Sequence, residues 1–476
     1  MTTKATYRKT FKQKLPFCLL MLCLMVMTAC GNLYTGEETI FDPDRDETIK
    51  EESVPVMVAF DDPYYNILSR GVGKIDPEDE WFDDKLNPKD ENGAPIKEEK
   101  PAFYVYAFRK HMGPYGYNIT RELDPDICLV DGSTGTQAEE AKNLQKSNLA
   151  IHGKRAYYNG NGSFANWFYE DEKLFYSNIE QSLSFDFFAY HIDDSEAGDI
   201  VRTDDYISFP VKIDGSQDLM WGKAELTKEQ LATIAAIEDE EKKEQIERFY
   251  YSTYSGRYNI WPIFQMKHQM AYVSVRLIAG NAYGDPVKVH DVSLKTHTEG
   301  TFVVVSKDPN QTPGAHFDEN SERVPLYLKE FNEDSKKAID ITPEVWEERY
   351  LNNEYRLEYY SEEEKLQNGG KERPDPYLAG ELLIPPGNNV VLSMLLSNKD
   401  TENDPDPLEP ITYPLDKVTT KMGDGSIVNG FIAGKTYHLN ITVYGPKQIS
   451  IDVEASPWKD GGDVDVDMED DIIKNK

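Results

Sequence analysis

Positions where every second residue is apolar recur along most of the chain, while helical spacing is confined to two places. Val54, Val56, Val58 and Phe60 alternate with Pro55, Met57 and Ala59, which puts four apolar side chains on one face of an extended strand. "FYVYAF" (103–108), "SLSFDFFAYHI" (182–192) and "YISFPVKI" (206–213) read the same way, the last with Ile207, Phe209, Val211 and Ile213 on one face. A second series follows residue 264: "AYVSVRLIAG" with Val273, Val275 and Leu277, "VHDVSLK" with Val292 and Leu294, "TFVVVS", "GELLIPPG" and "NVVLSMLLS". It closes in a hairpin, with Tyr437, Leu439, Ile441 and Val443 answered across "YGPK" by Ile449, Ile451 and Val453.

Two helical patterns interrupt the strands. Over 226–249, Thr227 and Gln230 are spaced as a capping box and Leu226 is placed to staple Leu231. A second start stands at Thr342-Pro343-Glu344, with proline at the first helical position. Both are highly charged, so they are expected as short acidic insertions on the surface of an all-β fold.

Length and composition agree with that fold class. The chain has 476 residues, enough for two domains, and 12% of them are aromatic, a bias that suits half-buried sheet surfaces. The formal net charge is −34, and no basic cluster offsets it outside the N-terminus. Such a chain repels phosphate backbones, so no nucleic acid is expected as a partner.

The N-terminus carries Lys4, Arg8, Lys9, Lys12 and Lys14, then an apolar run from Leu15 to Ala29. That run is too short to span a bilayer, and with the basic region before it reads as a secretory signal over 1–29. The junction "VMTAC" has the form of a lipobox, so Cys30 is expected to be the mature, lipidated N-terminus. Residues 30–53 are polar, acidic and aperiodic, as a flexible tether would be. Cys128 is then the one cysteine of the mature body beyond Cys30, which gives neither an intrachain disulfide nor zinc-ligand spacing.

Catalytic motifs are missing. The histidines (His111, His152, His191, His268, His290, His297, His316 and His438) include no HExxH and no second histidine at ligand spacing. His438 alternates with core residues and is expected to face solvent. There is no GxSxG, P-loop or dinucleotide fingerprint. "DPDRDE" (42–47) lacks the glycine of a calcium loop, and "DVDVD" (463–467) reads as a strand with one acidic face. No enzyme activity, cofactor or metal is expected. The aromatic string over 156–172 has two readings, a sugar-stacking platform or the end of a sandwich core, and core is the better match to aromatic burial.

Several pieces in order then resemble one family. The lipobox, an early strand followed by an arginine in a loop, "FYVYAF", "SFDFFAY", "DLMWG" (218–222), "FQMKHQMAYVSVRL" (264–277) and "FIAGKTYHLNITVYGPKQISIDVEASPW" (431–458) together resemble the Bacteroidales-type fimbrillin-like (type V pilin) family. The resemblance implies two tandem transthyretin-like β-sandwich domains, placed here at 54–263 and 264–460. It also implies a lipid-anchored precursor that is cut by a trypsin-like protease and polymerised into a surface pilus of the outer membrane by strand exchange between pilin subunits. Cys30 matches the lipidated cysteine of that family, and Arg70, followed by Gly71, matches the processing arginine.

The residues supply a reason for such a design. Removing the strand that bears Val54, Val56, Val58 and Phe60 would leave a groove and unpaired edge groups, which invite a strand from another chain. Arg70 follows the turn-rich Asp61-Asp62-Pro63 and Ser69, although Arg70 also reads as an ordinary loop arginine and Arg45 in the tether is a second accessible basic site. In the acidic tail, 461–476, Val464, Val466 and Met468 share one face and Asp463, Asp465 and Asp467 the other, after a Gly461-Gly462 hinge. The tail is a candidate donor strand, or its valines finish the last home strand. An alternative function is a non-polymerising surface lipoprotein that presents aromatic loops to a glycan or host ligand.

Overall fold

The computed structural model describes residues 53–60, 102–110, 128–131, 153–158, 164–167, 174–178, 180–192, 199–281, 286–308, 310–332, 337–398, 409–421 and 426–457. The described chain is all-β, with helices of nine residues or fewer between its strands. It divides into a large unit (Met57–Lys173, Phe185–Lys228 and Pro262–Lys476) and a small one (Met1–Val56, Leu174–Ser184 and Glu229–Trp261).

In the large unit one sheet runs, in spatial order, through Ile263–Phe264, Val58–Phe60, Phe164–Trp167, Lys154–Tyr158, Ala102–Arg109, Phe185–Ile192, Leu219–Lys223 and Lys267–His268, with Cys128–Val130 paired to Ala102–Arg109. Phe264 also bridges Ala224, just past Leu219–Lys223. The hydrogen-bonded path therefore returns to the strand on which it began. Gly222 permits this closure, since a Cβ there would sit 2.7 Å from the Gln265 carbonyl oxygen.

A four-stranded sheet, Gly314–Phe317, Glu299–Ser306, Tyr206–Lys212 and Val201–Arg202, shares a core with it. Phe209 and Phe302 meet edge-to-face at 5.6 Å, and Tyr190 meets Phe302 at 5.8 Å. Ile207, Phe209, Val211 and Ile213 are all buried, as their alternation requires. Tyr206–Lys212 pairs with Glu299–Ser306, so strands from both sides of residue 264 share a sheet.

The other sandwich stacks a six-stranded sheet (Lys337–Asp340, Lys329–Asn332, Tyr377–Ile384, Ala271–Ala279, Lys435–Gly445, Gln448–Pro457) on a four-stranded one (Val324–Tyr327, Val287–Thr296, Val391–Asn398, Ile411–Pro414). The closing hairpin has the expected register, Val443 opposite Ile449, Ile441 opposite Ile451 and Leu439 opposite Val453. Ala271–Ala279 joins it in parallel, Leu277 opposite Ile441. His438 does not simply face solvent: it is partly buried, with its Nδ1 2.5 Å from the Ser274 hydroxyl of the parallel neighbour.

The helices are less peripheral than their charge suggests. Trp346 of Pro343–Leu351 is completely buried in the second core, edge-to-face with Tyr355 at 5.6 Å. In the small unit the expected helix over 226–249 is two, Lys228–Ala235 and Glu240–Arg248. Asp239 interrupts it because its carboxylate accepts from the N–H groups of Glu241 (3.1 Å) and Lys242 (3.2 Å), capping the second helix. Ile234 and Ile246 are buried, so each helix contributes a core residue. The Gln230 amide donates to the Trp261 carbonyl at 2.8 Å, tying the first helix to the end of the unit.

Candidate functional site

The first strand is an inner member of the sheet it completes. Val58 and Ala59 lie antiparallel opposite Ala165 and Phe164, while Ala59 and Phe60 lie parallel to Ile263 and Phe264. The Ala59 N–H donates to the Pro262 carbonyl at 2.9 Å. Val58, Ala59 and Phe60 are buried to 1% exposure or less. The Phe60 ring lies 4.4 Å from Phe103 and 5.6 Å from Phe264, and Phe103 continues the stack to His191 at 5.3 Å.

Local sequence explains the placement. β-Branched and aromatic residues fit a pleated buried surface, and Ala59 is small enough for a position packed on the opposite face. Proline at 262 supplies a carbonyl without needing a ladder acceptor for an N–H of its own. Burying Val58 and Phe60 contributes about 1.5–3 kcal/mol each, and every ladder group stripped of its partner while buried would cost about 1–3 kcal/mol. The slot holds this segment extended through backbone pairing on both sides, antiparallel on one and parallel on the other, with the Phe60 ring set between Phe103 and Phe264.

The remaining sequence-identified positions, Cys30, Arg45, Arg70, Gly71, Val464, Val466 and Met468, lie outside the described residues. Sequence reasoning missed the two-residue strand Ile263–Phe264, although its apolar pair directly after Pro262 was a local signal. It also missed the buried pair of His268 and Asp218, 2.6 Å apart at the end of the same sheet.

The described residues hold other ionic groups but no grouping of three or more His, Cys, Asp or Glu side chains placed for a metal. Arg202 and Asp131 form a buried ion pair at 3.2 Å beside Cys128. Burial, then the Asp131 charge, pushes the Cys128 thiol well above its ordinary range. Lys110, buried near Asp186, is lowered to about 7, with desolvation the largest cause. A surface hollow of about 430 Å³ is lined by His290, Pro343, Glu344, Glu347 and Leu395.

No family model matches the chain, and no curated protein does. Solved structures similar to it include candidate cell adhesion proteins from three organisms. That from Bacteroides uniformis is 12% identical, with 86% of this chain and 99% of that one covered and a TM-score of 0.38. That from Bacteroides ovatus is 12% identical over 86% and 100% of the two chains, with a TM-score of 0.34. That from Parabacteroides distasonis is 8% identical over 87% and 99%, with a TM-score of 0.38. Superposition at these scores is partial.

Proposed function

We propose that this chain is the lipid-anchored precursor of a surface pilus subunit, structural or accessory, whose first strand is removed by proteolysis and replaced by a strand from another subunit. The observation that carries the reading is the position of Val58–Phe60, an inner strand of a sheet whose ladder returns on itself through Phe264. Losing an edge strand would leave one new edge. Losing this one leaves two facing edges and an empty aromatic socket, a vacancy that only extended peptide fills well.

In this reading Cys30 holds the precursor to the outer membrane, a trypsin-like protease cuts after Arg70, and the strand bearing Val464, Val466 and Met468 is the donor. Adhesion is the task of the assembled fibre, and the protein is not an enzyme. A disulfide trap tests the exchange: Ala165→Cys, on the strand that flanks the slot opposite Val58 and stays with the body after cleavage, and Val466→Cys are introduced with Cys128→Ser, in uncleaved and in Arg70-cleaved protein. A ladder of linked subunits that forms only after cleavage is the expected result. An intrachain bridge before cleavage with no intermolecular bridge afterwards would exclude this tail as the donor.

A further inference from the structure

We propose that the small unit is a clasp that retains residues 53–56, the segment directly upstream of the first strand, independently of the sheet that holds Val58–Phe60. The role assigned to it rests on the strand-exchange reading, but the contact itself does not. The Val56 N–H donates to the Leu174 carbonyl at 2.8 Å, the Tyr176 N–H to the Val54 carbonyl at 3.0 Å, and the Asn178 amide to the Ser53 hydroxyl at 3.0 Å. Pro55 bridges Phe175 between them. Val54 and Val56 are buried, at 8% and 2% exposure.

The short helix Thr253–Gly256 closes over this ladder. Ser252 and Ser255 make a reciprocal capping box. The Thr253 hydroxyl donates to the Ser177 carbonyl (2.7 Å), the Tyr254 N–H to the Gln181 carbonyl (3.2 Å), and the Arg257 guanidinium to the Gln181 side-chain oxygen (3.0 Å). Helix and ladder are thus one piece. Tyr251 and Asn259, on either side of the helix, have positive φ values of 59° and 60°. A buried tyrosine in that region is held there by its surroundings rather than by its own preference.

Gly256 is the point of closure. A Cβ there would sit 2.7 Å from Val54 Cγ1 and 3.7 Å from the Tyr176 ring. Valine is stiff about χ1, so Val54 yields to such a Cβ mainly by withdrawing from the site. Glycine at 256 lets the helix seat on Val54, and the segment is gripped at a second place besides the sheet. A strand cut on its downstream side then leaves slowly, which keeps a processed subunit closed until a donor competes.

Hydrogen exchange on the full chain tests this. In Gly256→Ala, the amides of Val56 and Tyr176 should exchange at least tenfold faster, while that of Ala59, bonded to Pro262, keeps its wild-type rate. Combining Gly256→Ala with Val54→Ala should give no faster exchange than Val54→Ala alone, because the clash partner is gone. Wild-type rates at Val56 and Tyr176 in Gly256→Ala, equal acceleration at Ala59, or simple additivity of the two substitutions would each overturn the clasp. Should Gly256→Ala fail to fold, Val54→Ala alone carries the test, with the same local acceleration expected and a uniform or absent response contradicting it. The functional reading is tested apart, with a site-specific protease sequence replacing residues 69–72. If Gly256→Ala loosens the clasp amides and speeds release of the nicked N-terminal fragment, yet subunits never link, the exchange reading fails and the clasp stands.

Discussion

Phe60→Ala is the substitution that presses hardest on the first strand. It deletes a completely buried ring that touches Phe103 at 4.4 Å and Phe264 at 5.6 Å, and it leaves the backbone pairing of residue 60 with Phe264 in place. Truncating a buried phenylalanine costs about 3–5 kcal/mol, the upper half applying where neighbours cannot collapse into the space. Here the ring is held between two strands, so little collapse is expected. An exposed position on the adjacent strand, Asn166→Ala, should cost about 0.5 kcal/mol or less. A chain of this size need not unfold in one step, so the assay is hydrogen exchange at increasing urea, read segment by segment. Protection in Val58–Phe60, Phe164–Trp167 and Ile263–Phe264 should fall together by the full amount, with the hairpin Lys435–Pro457 much less affected. A loss under about 1 kcal/mol, or an equal loss in the distant hairpin, would show that this strand is not what closes the sheet.

Trp346→Ala should destabilise the second sandwich by about 3–5 kcal/mol, because its ring lies in the core against Tyr355 and not on a surface insertion; urea unfolding followed in that sandwich measures it. Lys110 is lowered from 10.5 to about 7 by desolvation, so between those values the unfolded chain holds a proton that the folded chain has shed. Stability contributed by this site therefore rises with pH across that window, by up to about 1.4 kcal/mol per unit. Lys110→Met should flatten that slope, read as the difference between the two stability–pH curves so that other titrations cancel. Cys128, buried with its thiol raised, should resist iodoacetamide at pH 8 in the folded chain and react on unfolding, which peptide mapping detects. Cys30→Ala should abolish acyl labelling and release the chain from membrane fractions; continued labelling would contradict the anchor.

Local patterning made much of this fold readable. Tyr437, Leu439, Ile441 and Val443 against Ile449, Ile451 and Val453 follow from a period of two and a short turn, information contained in about twenty consecutive residues. The burial of Val54, Val56, Val58 and Phe60 was legible for the same reason, although the strand itself is only Val58–Phe60 and Ala59 is buried as well. What joins it was not: its parallel partner Ile263–Phe264 lies some two hundred residues away, and two residues carry no periodicity. The pairing of Tyr206–Lys212 with Glu299–Ser306 is equally non-local, so a boundary drawn from the order of strand signals runs between members of one sheet. Trp346 was hidden by its neighbours, since a helix with acidic residues around one large ring reads as polar, while that ring and the buried Arg349, which donates to the Ala379 carbonyl, seat it on the sandwich. Asp239 was a cap signal inside a helical stretch, outweighed in the sequence by the acids on either side.

The central claim is that the slot now filled by Val58–Phe60 accepts a replacement strand. The most direct measurement uses full chain nicked between residues 61 and 101 and mixed with an isotope-labelled peptide of sequence SVPVMVAF, the resident residues 53–60, followed by native mass spectrometry. The account predicts saturable uptake of the labelled peptide with loss of the resident fragment, at a rate that rises in Phe60→Ala. A nicked chain that keeps its own strand indefinitely, or sheds it and binds no peptide, would contradict it.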